Sequence, residues 1–255
     1  MAAEPVRLFN KEQHLHLPLE LLMQNRKIKA LAFDVGGSVF DWQTAVRRKV
    51  VELAKSHGAE IDDYEFAHAW RRRMFELLAE VITGNRESAN ADVLHRLALD
   101  DLVPGYAGFA LSDQQKDDLT MVWHSMEVWE DFPAALEQLR QHYKVVILSV
   151  LSWSILVDSS KHAGISWDGI LSCEFLGHYK PLPQAYQRCA SLLRLAPEEL
   201  MMVAVHPRDL AAAARAGLKT GFVKPKLEEA GSEGDTSSFD IVADDYADFV
   251  GRMCT

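Results

Sequence analysis

Cysteine, positive charge and long apolar runs are all scarce in this chain, and each shortage removes a class of function. Three cysteines, Cys173, Cys189 and Cys254, share no CxxC spacing, so neither a disulfide framework nor a thiolate zinc site is supported. A reducing cytoplasm fits that usage. The 27 Lys and Arg residues are outnumbered by 37 Asp and Glu, giving a net charge of −10. Such a balance lacks the basic face that a nucleic-acid binder needs for counterion release. No window approaches eighteen uncharged apolar residues. Near the N-terminus Glu12, Gln13, His14, His16, Glu20 and Gln24 interrupt the apolar residues, which predicts neither a membrane span nor a signal-peptide core. Nucleic-acid and membrane partners are therefore not expected.

What is present is alternation of short apolar runs with amphipathic stretches, the pattern of an α/β fold with a mainly parallel sheet. The predicted strands are Ile28 to Asp34, Lys144 to Ser149, Ile170 to Glu174, Leu200 to Val205, Lys219 to Val223 and Ile241 to Ala243. Most are apolar enough to be buried on both faces. Helices are predicted at Pro183 to Leu193 and Pro207 to Ala216, with Gly217 closing the second. Residues 1–27 read as an N-terminal extension. More than a hundred residues separate the first two strands, too many for one crossover. They predict a helical insertion over 42–129 in a core made of 28–41 and 130–255. Within it Phe66, Trp70, Met74, Leu78 and Val81 form one apolar stripe. Arg71 and Arg73 flank that stripe.

Four polar groups fall at or just beyond the carboxyl ends of consecutive predicted strands, where open parallel sheets bind their ligands. They are Asp34 in FDVGGSVFDW, Ser149 in ILS, Lys180 in YKPLPQAY and Asp209 in VHPRDL. An Asp in a turn is also a common cap. Placed here, before Gly36, Gly37 and the Ser38 hydroxyl, it can attack an electrophile and leave the developing anion to backbone donors. Lys180 can neutralise Asp34 and a substrate anion, and Asp209 can hold the lysine.

In that order, these motifs resemble the haloacid dehalogenase superfamily of hydrolases, and more narrowly its type II L-2-haloacid dehalogenase group. WRRRM, VLHRLAL, VWEDFPAALEQLR, SWDGILS and VAVHPRDLAAAARAGLKTGFV add to the match, which runs from about Ile28 to Val223. The resemblance implies a Rossmann-like core with an inserted helical cap, an active site between them, and a homodimer. It implies Asp34 as nucleophile, with Ser38, Ser149, Lys180, His206 and Asp209 catalytic. Arg71 would receive the departing halide, and Tyr186, Val35, Gly36 and Val150 would meet the substrate. His206, together with Asp209, would orient the water that hydrolyses the ester.

The implied reaction converts a small anionic 2-haloalkanoic acid to a 2-hydroxy acid and halide, with no metal or cofactor. Four positions depart from the family pattern: Gly36 replaces an aromatic, Val150 an Asn, Leu182 an Asp and Arg208 a bulky aromatic. These departures leave two alternatives open. One is a Mg²⁺-dependent phosphatase acting on a small phosphorylated metabolite, although Gly36 stands where its second Asp would be. The other is a catalytically degenerate binding protein that keeps the fold.

Overall fold

Ala30, Leu31, Ala32 and Phe33 carry no polar side chain and are wholly buried, so this segment can only be a central strand with both faces covered. A computed structural model describes residues 28–227 and 234–254. The expected N-terminal extension lies outside the described residues, as do positions 228–233 of the acidic loop. Strand β1 (Ala30–Phe33) pairs in parallel with β4 (Lys144–Ser149) on one side and β6 (Leu200–Ala204) on the other. With β5 (Gly169–Ser172), β7 (Lys219–Val223) and β8 (Ile241–Ala243) the sheet runs β5-β4-β1-β6-β7-β8, every pair parallel. All six strands expected from the apolar runs are present. Three match to the residue, and the ends of the other three shift by at most two residues.

β5 stops two residues early, at Ser172, because that hydroxyl accepts the Glu174 N–H at 3.1 Å and starts a short helix, Cys173–Leu176. β5 is also only half-buried over Gly169 to Leu171, since an edge strand has one covered side. A two-stranded ribbon, β2 (Phe40–Asp41) with β3 (Glu127–Val128), was not foreseen; two-residue strands carry no periodicity to read. It closes the neck where the helical insertion leaves and rejoins the sheet.

The insertion holds α1 (Trp42–His57), α2 (Asp63–Ile82), α3 (Ala91–Leu102) and α4 (Asp113–Thr120). Each begins at a side chain that accepts an orphan N–H of its first turn, Asp41, Asp62, Asn90 and Ser112 in order. The predicted stripe on α2 is buried at Phe66, Trp70, Met74 and Leu78, while Val81 is half-buried. Trp42 stacks on Trp123 with centroids 5.6 Å apart, and Trp70 meets Trp123 edge-on at 5.7 Å. The insertion is pinned to the core where Ser152 and Ser154 both donate to Asp92, Asn90 donates to Glu174, and Tyr179 donates to the Ala89 carbonyl. No helix among the described residues is long and apolar enough to cross a membrane.

On the sheet's other flank Gly221 in β7 lets a helix sit close. A Cβ there would lie 2.8 Å from Phe249 Cε2 and 3.1 Å from Met201 Sδ. Phe249 is wholly buried and cannot swing away cheaply. Gly221→Ala is therefore expected to lower stability by about 1–3 kcal/mol, read as a fall in the urea unfolding midpoint. An unchanged midpoint would mean the packing there relaxes freely.

Candidate active site

The register of the sheet assembles the site. Phe33 lies opposite Ile147 on β4 and Val203 on β6, so Asp34, Ser149 and His206 emerge within a few residues of one another at the carboxyl edge. The Asp34 N–H is held by the Val203 carbonyl at 3.0 Å. The loop after it folds back on itself, with the N–H groups of Val39 and Phe40 both donating to the Val35 carbonyl. Gly37 has φ +83°, a conformation in which a side chain would clash. Trp129 Nε1 donates to the Gly37 carbonyl at 2.9 Å and the Tyr246 hydroxyl to the Ser38 carbonyl at 2.8 Å. The Asp34 backbone is thus fixed from both sides.

Around its carboxylate the partners are dense. Lys180 Nζ donates to Asp34 Oδ1 at 2.9 Å and to Asp209 Oδ2 at 2.7 Å. Ser38 Oγ donates to Asp34 Oδ2 at 3.1 Å and itself accepts the Val205 N–H at 3.2 Å. His206 Nδ1 lies 3.1 Å from the same Oδ2. Burial by itself would raise the Asp34 carboxyl. The Lys180 charge and the His206 hydrogen bond outweigh it and hold the group well below its ordinary 3.8. Burial would likewise lower Lys180, and the two aspartates push it above 10.5 instead. Asp34 is a carboxylate and Lys180 an ammonium at any ordinary pH.

Arg71 comes from α2, across the gap from the sheet. Its guanidinium lies 5.0 Å from the Trp42 and Phe75 ring centroids, a cation held between two π faces. Its Nη2 stands 3.4 Å from His206 Nε2. Between α2 and the sheet edge is a cavity of about 730 Å³, walled by Asp34, Gly36, Ser149, Val150, Lys180, His206 and Asp209 from the core and by Arg71 from the insertion.

Two residues expected at the substrate, Tyr186 and Val35, lie outside the cavity lining. Tyr186 does not wall the cavity: its ring is wholly buried, and its hydroxyl donates to Asp209 Oδ1 at 2.5 Å. Burial and Asp209 push its phenol far above 10, so it stays a donor and fixes Asp209 from behind. Val35 points into the core with no exposed surface, and its carbonyl is used by the loop. Asp209 does not meet His206. Each of its carboxylate oxygens already holds a partner, Lys180 on one and Tyr186 on the other, and His206 turns to Asp34 instead. The cavity also uses His68, Phe75, Ala79 and Ile82 of α2, which had no assigned role. Their spacing with Arg71 at three and four residues puts them on one helix face, a signal present in the sequence but overshadowed by the buried stripe beside it.

A phosphatase of this kind would need magnesium. Asp34 and Asp209 offer two carboxylates, already tied to one ammonium between them, and Ala204 and Val205 stand just before His206. Every one of the four carboxylate oxygens already holds a side-chain partner, so this arrangement does not fit a magnesium ion, which needs carboxylate oxygens turned to it.

The family model described as haloacid dehalogenase-like hydrolase matches residues 28–217. The chain is 28% identical over 204 residues to (S)-2-haloacid dehalogenase 4A of Burkholderia cepacia, covering 76% of this chain and 81% of that one. Among solved structures it is similar to the L-2-haloacid dehalogenase PA0810, at 30% identity and a TM-score of 0.82, covering 89% and 99% of the two chains. It is similar also to the defluorinating L-2-haloacid dehalogenase Rha0230, at 34% identity and a TM-score of 0.81, covering 89% and 96%. With a parallel sheet, an inserted helical segment and an ionised aspartate after the first strand, the chain belongs to the haloacid dehalogenase-like hydrolases.

Proposed function

We propose that the protein is a metal-independent hydrolase of 2-haloalkanoic acids that uses Asp34 as its nucleophile. One observation carries the reading: a carboxylate kept ionised by a buried ammonium faces a cavity that also holds a guanidinium from the opposite wall. The relatives named above, being haloacid dehalogenases, favour the same substrate class. In this reading residues 42–129 act as a cap domain over a core of 28–41 and 130–255.

The substrate carboxylate is held by Ser149 and the positive groups nearby. An Asp34 carboxylate oxygen attacks C2, the C2–O bond forms as the carbon–halogen bond breaks, and the halide leaves with the electron pair toward Arg71. The ester is then opened by water. His206 takes a proton as the water oxygen bonds to Asp34 Cγ, and the Cγ–O bond to the substrate breaks. The product hydroxyl receives that proton, and the second proton of the water passes to solvent. Asp34 is left as a carboxylate carrying one oxygen from water. Lys180 and Ser38 orient the carboxylate throughout, and Tyr186 acts through Asp209 as a positioning residue.

Purified protein incubated without metal with (S)-2-chloropropionate is expected to release chloride, and Asp34→Asn to release less than about 0.1% of that rate. A substrate-sized mass adduct on Asp34 after rapid quenching marks the ester. No chloride above the variant's rate across a panel of haloacids would sink the reading. Phosphate release from 4-nitrophenyl phosphate with Mg²⁺ would redirect it to the phosphatase.

The pH dependence follows from the charges. The nucleophile must be ionised, and its pKa is held below the ordinary 3.8, so activity is lost only as pH falls through that lowered value. The wild-type rate should therefore show no acid limb near pH 4. Lys180→Met removes the ammonium and leaves burial less opposed. The variant should lose about 10²–10³ in kcat, and its residual activity should show an acid limb at least about one pH unit higher. Superimposable acid limbs in the two proteins would mean that Lys180 does not set the ionisation of Asp34.

A further inference from the structure

The cavity is much larger than a three-carbon acid requires, and its excess volume is apolar. At about 730 Å³ it falls within the range that encloses drug-sized ligands, roughly 300–1,000 Å³. Asp34, Lys180, Asp209, His206 and Arg71 form one contiguous polar cluster in it, while Glu76, also in its lining, is paired with Arg73. From Arg71 the same face of α2 continues through Phe75, Ala79 and Ile82, four, eight and eleven residues on. At 1.5 Å per residue that stripe is about 16 Å long. Phe75 is 39% exposed, and its ring stands next to the Arg71 guanidinium, so it divides that cluster from the apolar residues beyond it. Across the gap the wall is Val150 and Leu151 from the loop after β4. At Gly36 the cavity meets bare backbone: a Cβ there would find only Leu151 Cδ1, at 3.9 Å.

We propose that the site takes 2-substituted carboxylates bearing an apolar tail of about six carbons or more. The tail lies along α2, against Phe75, Ala79 and Ile82 on one side and Val150 and Leu151 on the other. This rests on the reading of Asp34 as nucleophile only for the chemistry at C2; the tail groove is a binding surface in its own right. The carboxylate end is held by charge, and the tail adds affinity by leaving water. Burying one methylene is worth roughly fourfold in affinity.

The test compares (S)-2-chlorooctanoate with (S)-2-chloropropionate, which differ by five methylenes. Both are titrated calorimetrically into the full-length Asp34→Asn protein, which binds without turnover, and both are assayed for chloride release by the wild type. Full burial of five methylenes would give about 1,000-fold, so a cavity open at one side should give about 100-fold tighter binding of the octanoate. In the wild type the octanoate should have the higher kcat/KM. A second substitution, Ala79→Trp, fills the stripe from an exposed helix position. Made in the Asp34→Asn background, it should cut the ratio of the two affinities at least tenfold. Equal affinities, or a ratio that Ala79→Trp leaves in place, would overturn the proposal. Chloropropionate turnover with no gain from the tail would refute the groove and leave the nucleophile reading standing. Tail-dependent binding with no turnover of either acid would do the reverse.

Discussion

Lys180 brings one positive charge between two carboxylates, 2.9 Å from Asp34 and 2.7 Å from Asp209, where burial keeps water from solvating any of the three freely. Neither the ammonium nor either carboxylate is tolerable there alone. Removing one partner from a buried set strands the others, typically at about 3–5 kcal/mol. The remaining polar atoms are satisfied in turn: Ser38 and His206 serve Asp34, and Tyr186 serves Asp209. The set carries one excess negative charge, which rests on an oxygen of Asp34 or Asp209. Both carboxylates are held on both oxygens and both line the cavity; they differ in their partners, Asp34 taking Ser38 and His206 where Asp209 takes Tyr186. The arrangement favours the ionised form of Asp34.

The core supplies only part of this site. Arg71 belongs to the insertion, and its contact with His206 crosses the gap between the two parts of the fold. That geometry depends on the pins elsewhere, where Asp92, Asn90 and the Ala89 carbonyl meet the core. A local positive environment is needed because the chain as a whole is acidic, at −10, and would otherwise slow the approach of an anion. Arg71, Arg72 and Arg208 line the same cavity as Lys180. Arg208, a departure from the family pattern, adds to that positive lining.

Much of this was legible in the sequence because parallel sheets obey a simple rule: their carboxyl ends converge. Asp34, Ser149, Lys180 and Asp209 could be grouped from the order of strands without knowing a single distance. Lys144–Ser149, Lys219–Val223 and Ile241–Ala243 were legible to the residue, since each run is apolar and bounded by polar or turn residues. The β2–β3 ribbon was not, because two residues have no period. Nor was the cavity face of α2. His68, Arg71, Phe75, Ala79 and Ile82 share helical spacing with a second, more hydrophobic stripe on the same helix, of which Met74 and Leu78 also border the cavity, and periodicity alone does not say how far round the helix a cavity reaches.

The sequence by itself determined the fold class and the set of charged and hydroxyl groups at the sheet edge. These depend on local pattern and strand order. Only the tertiary structure decided which way each of those groups points. The Tyr186 hydroxyl donates to Asp209, 23 residues on, and His206 lies against Asp34, 172 residues before it, because hydrogen-bond direction is set by packing between elements that the chain separates. The size and apolar lining of the cavity were decided at the same level. They arise from the gap between two surfaces, and neither surface contains that gap in its own sequence.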